Sequence, residues 1–252
     1  MKKENARLNK SLFASLVILL TTSIFSLSLQ AQEKANLKAE SQRSGSLEKN
    51  GPVNLESVCS SLSARPLMTG DFQQEKTISK AGRSLISSGI FIFSEEGILW
   101  KTQKPFASAM AVTLDSIIQT RADGKKTVTD AKGNQIFLSI SKSLSALFKG
   151  NEKELLENFI VDFSYSEESA SLLTWKIHLT PKDKVVQGIL GSIDVCGKIE
   201  NYKKNMDPEE IQTKIDSIFM KETSGDTIRY TFSNHKFPER LTEDEKNYFS
   251  VQ

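Results

Sequence analysis

The period of apolar positions changes several times along the chain, and each change marks an element. Leu55, Val58, Cys59 and Leu62 recur at helical spacing behind Asn54, and Pro66 closes the segment, which predicts a short amphipathic helix. After Gly70 the period falls to two, and 72–78 reads as a strand. The run Ile90-Phe91-Ile92-Phe93 departs from alternation and points apolar groups to both faces, where a strand with one wet face would place polar residues at every second position. A Ser-Glu-Glu-Gly turn follows, then a strand with Ile98, Leu99 and Trp100, then Lys104-Pro105-Phe106. Both faces of this hairpin, roughly 86–103, require cover. One cover is the protein's own core; the second is a helix or a ligand.

Further strands are predicted at 108–114 and on either side of Asp123-Gly124, a pair that signals a type I′ hairpin within 116–130. The period then returns to helical. Ile140, Leu144, Leu147 and Phe148 mark one face of a helix that Gly150 ends, and Asn151 with Glu154 caps a second helix carrying Leu155, Leu156 and Phe159. Strands resume at 160–166, 171–180 and 188–195. In the second of these Leu173, Trp175, Ile177 and Leu179 share one face, and Lys176, His178 and Thr180 the other. Asp207-Pro208-Glu209-Glu210 opens a short helix, 218–222 and 227–232 pair around Ser-Gly-Asp, and Thr242 with Glu245 caps a last helix near Phe249. These elements predict one α+β domain dominated by an antiparallel sheet.

The first 53 residues read differently. Lys2, Lys3, Arg7 and Lys10 precede an apolar run from Leu12 to Leu29, and Ala31 offers a small residue for cleavage, the layout of a secretory signal peptide over 1–31. The Ser and Thr interruptions favour this over a membrane anchor. Residues 32–53 are polar and aperiodic and are expected to form a flexible leader, leaving 54–252 as the folded domain. Removal of 1–31 turns the formal charge of +2 into −1, so the mature chain is near neutral, with no Lys/Arg run that would indicate nucleic acid or anionic lipid. Cys59 and Cys196 are the only cysteines, and neither would be the first mature residue, so no lipid anchor is expected there. In an oxidising compartment the two could bridge or stay separate thiols, and spacing does not decide between these.

Catalytic and metal-binding patterns are absent from the sequence. His178 and His235 stand apart from other ligand residues, and no zinc, P-loop, dinucleotide or nucleophile-elbow motif occurs. Acidic residues are plentiful, but no carboxylate pair is marked out by its setting. The expectation is a non-enzymatic protein without cofactor or metal.

The ordered series of an N-terminal helix, 70-GDFQQEK-76, 88-SGIFIFSEEGILWKTQKP-105 and 173-LTWKIHLTPKD-183 resembles the outer-membrane lipoprotein carrier protein (LolA) family, as a divergent member. Phe72 with Gln73/Gln74, Gly89, Trp100, Pro105, Leu179 and Pro181 occupy the family's pattern positions, over about 54–235. The resemblance implies an incomplete, strongly curved antiparallel β-barrel, a half-barrel, with a helical lid around a hydrophobic cavity. It implies a monomeric periplasmic carrier that takes acylated lipoprotein or lipid cargo from an inner-membrane ABC transporter to an outer-membrane acceptor. On this reading Phe91, Phe93, Trp100, Phe106, Met110 and Trp175 are wall candidates, and Leu144, Leu147 and Phe148 are lid candidates, each with permanent core packing as the alternative. Family members carry Arg before the proline matching Pro105, as a lid latch. Here that residue is Lys104, a point charge without Arg's planar fork. A second reading keeps the half-barrel but makes it a lipid- or lipoprotein-sensing interaction module.

Overall fold

A computed structural model describes residues 53–130, 145–146 and 149–250. Helix α1 (Leu55–Ser63) forms where the helical period predicted it, behind an Asn54 cap whose side chain accepts from Ser57 N at 2.8 Å while Ser57 Oγ accepts from Asn54 N at 3.0 Å. Strands β1 (Met68–Ile78), β2 (Arg83–Phe93), β3 (Ile98–Lys104), β4 (Ser108–Val112), β5 (Ser116–Arg121) and β6 (Lys126–Asp130) then run as an antiparallel meander. Helix α2 (Glu152–Asn158) precedes a second meander. It comprises β7 (Phe159–Ser169), β8 (Leu172–Pro181), the single-turn α3 (Lys184–Gln187), β9 (Leu190–Glu200), β10 (Thr213–Glu222) and β11 (Thr227–Lys236). Helix α4 (Glu243–Lys246) and a 3-10 turn, Asn247–Phe249, follow. The helix expected at 139–149 lies outside the described residues except for Ser145 and Ala146, which are helical, and Lys149, whose N–H donates to Ser145 O at 2.8 Å.

The two meanders join through β1 and β11, giving one antiparallel sheet in the order β6-β5-β4-β3-β2-β1-β11-β10-β9-β8-β7. Strands β6 and β7 are its two edges and do not pair, so the barrel is open: the expected half-barrel. Register shifts at Thr69/Asp71, Ser88/Gly89, Glu167/Ser169, Ile215/Ser217 and Lys221/Glu222 bend and twist the strands that must curve. The chain between β6 and β7 links the two free edges, whereas each of the other connections joins strands that pair directly.

The turn at Asp123-Gly124 differs in type from the expectation, and the Ser-Gly-Asp turn has the same form. At 121–125 and 222–226 only Gly124 (φ 80°) and Gly225 (φ 91°) are left-handed, and the glycine N–H donates to Arg121 O (2.9 Å) and Glu222 O (3.0 Å) respectively. A type I′ pair needs two positive φ angles. A type I turn closed by one left-handed glycine replaces it because Lys125 and Asp226 extend each loop beyond two residues.

The two-sided apolar run now has its explanation. Ile92 on β2 pairs with Leu99, Leu99 with Ala111, and Ala111 with Ile118, which aligns them on the outer face of the sheet. There Leu67, Ala109 and Leu241 join them in one buried cluster, and Tyr248 and Phe249 pack against it. The Lys126 ammonium fastens this C-terminal strap by donating to Asn247 O (2.7 Å) and Ser250 O (2.9 Å), and Lys101 Nζ lies 5.1 Å from the Tyr248 ring centroid. The alternate positions, Phe91 and Phe93, face inward.

Leu241 is the fully buried anchor of the strap, so Leu241→Ala is expected to lower the unfolding free energy by about 2–4 kcal/mol. Urea titration checks this. An unchanged midpoint would mean that the strap is not part of the cooperative unit.

Candidate functional site

The inner face follows from register. Phe91 on β2 pairs with Trp100 on β3, and Trp100 with Met110 on β4, so these wall candidates share one face with Phe93. Across β1, Phe72 pairs with Phe232, and Gln74 with Tyr230. On the other arm Tyr165 pairs with Trp175 and Trp175 with Gly197, and Ile177 and Val195 continue the same face. The structure thus brings Phe91, Phe93, Trp100 and Met110 together and places Trp175 across the sheet from them. Phe106 does not join the wall. It sits in the β3–β4 turn, 44% exposed.

Aromatic rings fill the centre of this face. Phe91 lies 4.6 Å from Phe93 and 4.8 Å from Phe232, and Trp100 lies 5.8 Å from Tyr230 (centroid distances), in tilted and edge-on arrangements that suit ring quadrupoles. Two glycines provide the room. A Cβ at Gly70 would stand 2.8 Å from Phe91 Cε1, and one at Gly197 would stand 2.4 Å from Trp175 Cζ2. The half of this cluster on β11 was readable as the alternation Ile228, Tyr230, Phe232, but no local signal says that β11 pairs with β1.

Thr213 locks α1 onto the inner face. Its Oγ1 accepts from Trp175 Nε1 (2.7 Å) and donates to Lys198 O (2.7 Å), its N–H donates to Ser61 Oγ (2.9 Å), and its carbonyl accepts from Arg65 Nη2 (3.1 Å). The cleft left between α1 and the sheet, lined by Leu62, Met68, Phe93 and Ile215 among others, holds about 10 Å³, room for about one water. Helix α2 is held less firmly. Leu155 is its buried residue, Leu156 is 42% exposed, and the Lys182 ammonium donates to Leu156 O at 2.6 Å.

The same face turns polar along β1. Gln74 and Lys76 are buried, and Lys76 Nζ lies 3.6 Å from Glu222 Oε1, an ion pair on the inner wall. Breaking such a pair from one side would strand a buried charge, at a cost of about 3–5 kcal/mol. Gln74 Oε1, Ser87 Oγ and Trp100 Nε1 are buried with no hydrogen-bond partner among the described residues. At the rim, His235 is on β11. Its Nε2–H donates to Ile215 O at 2.9 Å, its ring is 5.7 Å from Phe91, and burial pulls its pKa below the ordinary value. His178 lies on the outer face with Nδ1 2.5 Å from Asp194 Oδ1, and Thr180 Oγ1 is 3.5 Å from its Nε2.

Of the remaining candidates, Lys104 is exposed at the end of β3, and its side chain makes no ion pair among the described residues. Leu144, Leu147 and Phe148 lie outside the described residues. Cys59 and Cys196 are both free thiols in this structure. The register gives the reason: Cys196 is on the outer face between Lys176 and Ser217, whereas Cys59 is buried in α1 on the inner side. Burial, with Glu152 nearby, pushes the Cys59 thiol up to about 12, and burial with Asp194 also raises Cys196.

No family model matches the sequence, and no curated protein matches it. Among solved structures the chain is similar to a LolA superfamily protein from Nitrosomonas europaea, with 8% identity, TM-score 0.40, and coverage of 79% of this chain and 98% of that one. A domain described as an outer membrane lipoprotein-sorting protein, from Vibrio parahaemolyticus, aligns with 14% identity, TM-score 0.39, and coverage of 77% and 97%. A DUF1329 family protein from Desulfovibrio piger aligns with 12% identity, TM-score 0.42, and coverage of 78% and 94%.

Two outcomes follow from the geometry. Thr213→Val deprives the buried Trp175 Nε1 of its acceptor and is expected to cost about 1–3 kcal/mol in urea unfolding; a neutral result would dissolve the lock. In thiol labelling near neutral pH without reductant, the folded protein should react slowly at Cys196 and not at Cys59, and the unfolded protein at both. A protein that yields no free thiol on unfolding would contradict the assignment.

Proposed function

We propose that this chain is a periplasmic carrier that shields the acyl chains of lipoproteins or related lipids in transit between membranes. The observation that carries the reading is an apolar inner face on an open half-barrel that is not fully spent on the core. On the edge strand β7 the inner-face residues Phe163 and Tyr165 are half-buried and 49% exposed, with rings 6.4 Å apart, beside the buried Trp175 and Ile177. The physical need is large. At about 0.8 kcal/mol per CH₂ withdrawn from water, a chain of about sixteen carbons is worth roughly 12 kcal/mol. A wall that is partly open at one edge can take up such a chain without first breaking strand pairing. The lid role of Leu144, Leu147 and Phe148 belongs to this proposal. So do cleavage after Ala31, the inner-membrane transporter that loads the cargo, and the outer-membrane acceptor that receives it.

The second reading, a sensing module with the same fold, is favoured by the Thr213 lock and the nearly closed cleft under α1, because a sensor need not open. The two part on cargo. Mass spectrometry of protein recovered from cells should find acylated material that leaves in organic solvent. Tyr165→Glu places a charge on the inner wall at an exposed edge position, so stability should change by no more than about 0.5 kcal/mol while the acyl content falls severalfold. Native protein free of acylated material would overturn the carrier reading in favour of the sensor.

A further inference from the structure

Lysines and arginines that are scattered in sequence converge in space, because a meander sends alternate turns to opposite ends of its sheet. The β1–β2, β3–β4 and β5–β6 turns share one end of the half-barrel. They bring together Lys80, Arg83, Lys104, Arg121 and Lys125, all exposed. Against these five stand two acidic residues: Asp123, whose carboxylate accepts from Lys125 N at 3.1 Å and lies 3.9 Å from Arg121, and Asp226 of the adjacent β10–β11 turn, which accepts from Ser79 N at 2.9 Å. The opposite end of the same strands carries Glu95, Glu96 and Asp115 in its turns and no basic residue. Within this meander the turn charges are therefore separated along the strand direction.

Exposed apolar side chains gather at the basic end too. Leu85 (42% exposed) and Ile86 (60%) open β2, and Phe106 (44%) is at the tip of the β3–β4 turn, between the β1–β2 and β5–β6 turns. At strand spacing near 4.8 Å, the three turns span roughly 20 Å. Isolated exposed hydrophobics need no explanation, but three of them among turn tips in which five cations outnumber two carboxylates mark an interaction surface.

We propose that this end of the half-barrel docks on an anionic lipid bilayer surface, with the cations at the headgroups and Phe106, Leu85 and Ile86 reaching the acyl boundary. Bulky apolar groups between cations on separate turn tips suit a diffuse negative plane. Recognition of an acidic protein would instead call for cations placed in fixed pairs, and none of the five is held by a buried partner. Leu85 shares the inner face with Lys76, but the cations and Phe106 lie at the turns, so the surface stands whether or not acyl cargo is carried.

The test is co-sedimentation of the full chain with phosphatidylcholine vesicles and with phosphatidylcholine–phosphatidylglycerol vesicles. Every variant keeps the same N-terminal residues, so differences report on the turns. The expected result is binding that requires phosphatidylglycerol and weakens in high salt. Lys80→Gln, Arg83→Gln and Lys125→Gln combined should lower the partition coefficient about a hundredfold, which is about 1 kcal/mol for each basic side chain near an anionic surface. Phe106→Ser should weaken binding severalfold with its salt dependence retained. The acyl content of the triple variant should equal that of the parent, which separates this surface from the cargo site. Equal binding to neutral and anionic vesicles, an unaffected triple variant, or no binding at low salt would overturn the proposal; the last is also the result if the true partner is an acidic protein.

Discussion

Strands β2 and β3 carry apolar side chains on both faces, and the rest of the molecule is arranged to satisfy that constraint. A single sheet leaves one face wet unless something packs on it. On the outer face the solution is a strap from the C-terminal end, in which Leu241 completes the Ile92–Leu99–Ala111 cluster and Lys126 ties down the backbone that follows. On the inner face the solution is curvature. Bulges bring β2, β3 and β11 close enough for Phe91, Phe93, Trp100, Tyr230 and Phe232 to meet. The two covers differ in kind: the outer one is local chain, and the inner one is assembled from residues far apart in sequence.

That difference sets what could be read beforehand. Local signals worked well. The Asn54 and Thr242 caps, the hairpin punctuation and the alternation in β8 are properties of a few neighbouring residues, and each produced its element. Long-range facts were out of reach. The parity of 90–93 stayed open because a fully apolar run has no polar face to orient it, and only the β1–β11 register resolves it. The early start of β10 was missed because Thr213 is polar by composition. It is buried because Ser61, Arg65, Trp175 and Lys198 satisfy it from four other segments. Phe106 was placed on the wall for its chemistry alone, and its position in a turn put it outside.

Polar groups on the inner face show the cost of building a greasy wall from a real chain. The Lys76–Glu222 pair and the unpartnered atoms of Gln74, Ser87 and Trp100 lie on neighbouring strands, where an all-apolar lining would have been cheaper. They add a region able to hydrogen-bond beside the aromatic one.

The central ladder of the sheet pairs β1 with β11, the first strand of the domain with the last. Each meander can zip locally, but the seam between them joins Phe72 to Phe232, a closure over most of the domain's length, and such distant pairings form slowly. A nascent chain is therefore unable to complete its fold until its final strand is free.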